Sequence, residues 1–147
     1  MDSFTPWTAR SFLQFDLSSI PSSAAISRAT LRLFYDTCDF GPEEVDVGAY
    51  EVGGPWTEST LSWSAQPAFA WDAEDVMSMG CEGAAGVYVQ WDITGLAQDW
   101  VSGSALNYGV VVKAVDELGE RGRLLARFGS RERAVGQQPQ LVVSYVD

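Results

Sequence analysis

The chain has 147 residues, 46% of them hydrophobic, which suits one domain with a real core and excludes a disordered chain. Twenty Asp and Glu against nine Lys and Arg give a net charge of −11, so repulsion of phosphate makes nucleic acid an unexpected partner, and polyanionic sugars would need a local basic patch. Histidine is absent, which removes the commonest general base, the commonest zinc ligand and every Ser-His or Cys-His nucleophile pair, and no apolar run reaches the ~18 residues of a membrane-inserting span.

In chain order, residues 1–9 show no periodicity and read as a lead-in. Residues 10–17 alternate, with Leu13, Phe15 and Leu17 on one face, and predict a strand. Residues 18–23 form a turn built on Pro21 and serines. A longer strand follows over 26–35, with Leu31, Leu33 and Tyr35 facing one way and Thr30, Arg32 and Phe34 the other. Residues 36–44 are an acidic loop. Val45, Val47 and Ala49 mark a third strand, which Gly53-Gly54-Pro55 breaks. Residues 60–63 predict a short extended piece. The stretch 68–86, with Trp71, an acidic cluster and several glycines, reads as a long surface excursion, where functional loops are often found.

The most informative stretch is 87–109. Val87, Val89 and Trp91 alternate with Tyr88, Gln90 and Asp92, as in a half-buried strand. The period then changes: Ile93, Leu96, Ala97, Trp100 and Val101 share one face of a short helix. Asp92 or Thr94 is placed to cap its start and Gly103 to stop it. Residues 108–115 are apolar on both faces and predict a central strand covered on two sides. A charged hairpin turn over 116–122, a returning strand over 123–128 and a closing strand over 140–146, with Leu141, Val143 and Tyr145 facing in, complete the chain. About eight short strands separated by turn signals predict an all-β, antiparallel sandwich with one short helix between two late strands. No repeat or low-complexity linker divides residues 1–147, which read as a single domain.

Several pieces, in order, resemble one family. They are RSFLQFDL at 10–17, ISRATLRL at 26–33, Trp56-Thr57-Glu58 with TLSW at 60–63 and Pro67, WDIT at 91–94, Gln98-Asp99-Trp100, Asn107-Tyr108-Gly109, FGSRE at 128–132 and PQLVVSY at 139–145. No single piece is specific, but the ordered set is similar to the DNRLRE domain. That resemblance implies a jelly-roll β-sandwich from secreted and cell-surface proteins of bacteria and archaea, some of whose members are classed as carbohydrate-binding modules. Members usually begin with a further segment carrying the first strand. Only nine residues precede Arg10 here, so the domain reads as short of that strand, either trimmed or supplied from elsewhere.

Candidate sites follow from residue chemistry. A sugar stacks its C–H groups on the negative face of an exposed aromatic ring. Trp71 and Trp7 lie in irregular polar surroundings and are the stacking candidates. Trp91 and Trp100 fall on apolar faces and read as core; Trp56 and Trp63 read as structural. Asp92 reads as a cap, and Arg131 and Glu132 as an anchor for the last hairpin. Cys38 and Cys81 are candidates for one disulfide in an oxidising compartment or for two separate reduced thiols. Calcium is conceivable at 36–46 or 72–75, but neither acidic run has the spacing of a calcium loop. No carboxylate pair, nucleophile set or cofactor motif is visible, so no enzyme is expected. The expected role is a non-catalytic extracellular or cell-surface module binding polysaccharide or glycan; the alternative is a structural subunit of a surface fibre or adhesin, assembled with neighbouring subunits by strand donation.

Overall fold

The computed structural model describes residues 10–38, 45–80, 86–116, 126–128 and 137–147. Its elements are β1 (Arg10–Leu13), β2 (Ala25–Cys38), β3 (Val45–Glu51), β4 (Asp75–Met79), β5 (Val87–Asp92), α1 (Thr94–Ser102), β6 (Val110–Ala114), β7 (Ala126–Phe128) and β8 (Gln140–Val146). They make the expected all-β sandwich of two antiparallel sheets. The first sheet runs β1-β6-β3-β4. In the second, β5 lies on one side of β2, and β8 and β7 pair with it at its two ends.

Period-2 patterning explains the layers. Ala29, Leu31, Leu33 and Tyr35 of β2 point into the core, and Trp91 of β5 stands opposite Leu31. Trp91 is fully buried, and its Nε1 donates to the Val47 carbonyl of β3 at 2.9 Å, so one side chain ties the second sheet to the first. Strand β6 is covered on both faces, as its sequence predicts. Val110 and Val112 enter the core between the sheets. Val111 joins Tyr50 and Val52 on the outer face of the first sheet, beneath Phe12, Trp56, Phe69 and Tyr108. A sheet can bury both faces only if something covers the outside; here the cover is the connection between β3 and β4.

Helix α1 buries Leu96, Ala97, Trp100 and Val101 and plugs one end of the sandwich. Gly103 ends it in the left-handed conformation, with φ of 84° and its N–H directed to the Trp100 carbonyl at 3.3 Å.

Three expectations need correction. The stretch 68–86 is not wholly an excursion: β4 lies within it and pairs with β3 from Val45↔Met79 to Ala49↔Asp75. Strand β1 ends at Leu13 rather than Leu17, because beyond it side chains replace the ladder. Asn107 Nδ2 donates to the Phe15 carbonyl and Gln14 Nε2 to the Asn107 carbonyl, both at 2.8 Å. Residues 60–63 are not an extended strand but tight turns, with the Thr57 carbonyl accepting the Thr60 and Leu61 N–H groups. Tyr145 shares the inward face with Leu141 and Val143, since its partner across the ladder is the buried Ile26, but it lies near the end of the strand and stays 43% exposed.

Candidate functional site

The junction of β5 and α1 gathers polar groups that hold architecture. Asp92 Oδ1 accepts the Thr94 N–H at 3.0 Å and the Thr94 hydroxyl at 2.5 Å. Thr94 Oγ1 in turn accepts the Ala29 N–H at 3.0 Å, and the Asp92 N–H donates to Asp75 Oδ2 at 2.8 Å. The Thr94 hydroxyl, then the Thr94 N–H and nearby Arg28, hold the Asp92 carboxyl below its ordinary range. Asp92 therefore stands one residue ahead of the helix-capping position, occupied by Ile93, and joins β2, β4, β5 and α1.

A different chemistry covers the outer face of the first sheet. Arg10 and Lys113 are register partners on β1 and β6. The Arg10 guanidinium lies 4.6 Å from the Trp63 ring centroid and 5.1 Å from that of Phe69, and its Nη1 donates to Gln66 Oε1 at 2.6 Å. Lys113 Nζ sits 4.6 Å from the Tyr50 centroid and 5.5 Å from Phe69. These contacts fall within the ~6 Å reach of cation–π attraction. Trp63 nonetheless leaves 60% of its surface in solvent. Its neighbour in sequence, Trp56, is half-buried: its Nε1 donates to the Tyr108 carbonyl at 2.7 Å and its ring packs 5.6 Å from Phe12. The sequence reading grouped these two tryptophans as structural; the structure separates them.

Trp71 is 95% exposed, the most exposed of the large apolar side chains described. Its backbone is pinned. The Gly53 N–H donates to the Ala68 carbonyl, the Ala70 N–H to the Glu51 carbonyl and the Glu74 N–H to the Ala49 carbonyl, at 2.8, 2.8 and 2.7 Å. The loop is thus zipped along β3 on both sides of Trp71, and the indole stands out from a fixed base. Burial, then the charges of Glu51 and Asp99, push the Glu74 carboxyl up from its ordinary value. Among the described residues no three His, Cys, Asp or Glu gather as a metal ion would require.

A groove of 1660 Å³ lies along the edge of β1. Every residue from 11 to 18 lines it, whichever face its side chain takes, so it follows the edge of the chain rather than one face. Leu33 and Trp100 form part of its wall, and Trp100 Nε1 is buried without a hydrogen-bond partner. Trp7, Cys81, Arg131 and Glu132 lie outside the described residues, and with Cys81 so does the pairing proposed for Cys38, which ends β2. Among the described residues no helix is long and apolar enough to cross a membrane.

The chemistry on view is stacking and hydrogen bonding. A sequence model of carbohydrate-binding module family 96 matches residues 2–145, and the chain belongs to that family. A family of this kind is non-catalytic, and the resemblance drawn from the motifs is upheld in its carbohydrate-binding part. Comparison with curated proteins finds no match.

Proposed function

We propose that this member of a carbohydrate-binding module family works outside the cell, without catalysis, by holding a glycan against Trp71 and Trp63. The observation that carries the reading is Trp71. Leaving an indole 95% in solvent gains nothing for folding, whereas its face is a ready stacking surface for sugar C–H groups, and its pinned loop lowers the entropy lost on binding. Gln66 and Arg10 beside Trp63 add hydrogen-bonding groups at the rim of the same sheet face. Electrophoresis through gels containing soluble polysaccharides tests this. The wild type is expected to be retarded by at least one polysaccharide, and Trp71→Ala to lose about two- to twelvefold in affinity, corresponding to about 0.5–1.5 kcal/mol for one aromatic stack. Equal retardation of the variant would remove Trp71 from the site.

A second reading, a subunit assembled by strand donation, rests on the groove. Its volume of 1660 Å³ exceeds the ~300–1,000 Å³ of small-molecule pockets, and among the described residues β1 pairs only with β6. An extended segment from a neighbouring subunit would pair with that edge. Light scattering at high concentration tests it: a concentration-dependent rise in mass is expected, and a clean monomer removes the reading.

A further inference from the structure

The opposite side of the sandwich carries a second ordered surface. On β2, Thr30, Arg32 and Phe34 alternate with the buried Leu31, Leu33 and Tyr35, so they face outward from the second sheet. Their register partners on β5 are Asp92, Gln90 and Tyr88; on β8, Val142 faces Thr30 and Gln140 faces Arg32. The result is a row Gln90–Arg32–Gln140 across three adjacent strands, stepping by about 4.8 Å per strand. Gln90 and Asp92 are exposed, and Val142 is 49% exposed in mid-strand, so this face is open to solvent.

Arg32 is held in place. Its guanidinium stacks 4.3 Å from the Tyr88 ring centroid, and its Nη1 donates to Gln140 Oε1 at 2.7 Å. Tyr88 is itself fixed: its hydroxyl donates to the Gln138 carbonyl at 2.9 Å, and its ring meets Phe34 edge-on at 5.5 Å. A surface arginine ordinarily loses rotamer entropy when a ligand orders it. Here its contacts have already ordered it, so a ligand meets a planar group set in position between two planar amides.

We infer that this row is a second glycan-binding face, taking a neutral polysaccharide chain across β5, β2 and β8. The inference rests on the carbohydrate-binding reading and adds a site to it. The Gln90 amide offers two donors and an acceptor, the Gln140 amide two donors and the second lone pair of an oxygen that accepts from Arg32, and Arg32 keeps further N–H donors. Sugar hydroxyls both donate and accept, so they match the whole row. A carboxylate or sulfate group only accepts; it would answer Arg32 but leave the Gln90 amide oxygen unanswered, and the Asp92 carboxylate, itself near Arg28, stands on the same face.

The experiment is affinity electrophoresis in gels containing hydroxyethyl cellulose, galactomannan or xylan, with polygalacturonate as the acidic arm. In a Trp63→Ala/Trp71→Ala background, residual retardation by a neutral polysaccharide is expected. Adding Gln90→Ala and Gln140→Ala should remove it, a loss of about tenfold or more for two hydrogen-bonding groups. Retardation unchanged by the two glutamine substitutions overturns the second face, as does complete loss in the tryptophan variant alone; both outcomes leave the carbohydrate reading standing. Retardation by polygalacturonate only overturns the neutral-ligand assignment. A wild type that no polysaccharide retards overturns the reading and the inference together. Should the combined variant misfold, amide shifts of the wild type on adding cellohexaose, mannohexaose or xylohexaose decide. Shifts at Arg32, Gln90 and Gln140 are expected, and their absence overturns the face.

Discussion

At the scale of single residues, Gly109 shows how tightly the backbone is set where 10–17 and 107–113 run together. Its φ is 83°, and a Cβ there would lie 2.0 Å from the Leu13 carbonyl oxygen. Gly109→Ala therefore meets both a left-handed conformation and immovable backbone, and is expected to cost about 2–4 kcal/mol, read as a lower urea midpoint at unchanged slope. Asp92 gives a prediction with a sign. Its folded pKa is depressed, so its contribution is present above the ordinary value of 3.8 and is lost as pH falls through the folded value. Asp92→Asn keeps an oxygen for Thr94 but cannot titrate. The melting temperatures of wild type and variant are expected to differ at pH 7 and to converge by about pH 2; a gap that persists in acid contradicts the assignment.

At the scale of elements, legibility tracked how locally each element is determined. The change of period at 92–93 announces β5 and α1, and the two-faced apolar run announces β6, because each pattern lies within one segment. Strand β4 was hidden. Its inward residues are Met77 and Met79, unbranched side chains with little strand preference, flanked by acidic and glycine-rich sequence. Only pairing with β3 makes it a strand. Met79 is 3% exposed, so Met79→Ala is expected to cost about 2–4 kcal/mol by urea denaturation, whereas a surface excursion would lose almost nothing. The two tryptophans of the 56–63 segment make the same point for the site. Trp56 finds Phe12 and the Tyr108 carbonyl, while Trp63 finds the Arg10 guanidinium and remains open. Both sets of partners are distant in sequence, so the motif alone could not sort them. Trp71 was legible because its irregular, polar setting offered no apolar face to join.

At the scale of the whole molecule, the fold divides labour between its layers. The core between the sheets, tied by the Trp91 bond to Val47, fixes both outer faces. One outer face carries Trp63 beside Arg10 and Gln66, with Trp71 projecting from the loop zipped along β3; the other carries the Gln90–Arg32–Gln140 row. The row was invisible in sequence because it joins three strands by register. A rigid scaffold with preset surface groups loses little entropy on binding, so affinity should follow the exposed rings rather than loop rearrangement. The most direct test is isothermal titration calorimetry with the polysaccharide that retards the wild type, comparing it with Trp63→Ala/Trp71→Ala. The account predicts measurable binding by the wild type and at least about fivefold weaker binding by the double variant at an unchanged melting temperature. Binding of equal strength by the two proteins, or none by the wild type to any polysaccharide tried, would contradict it.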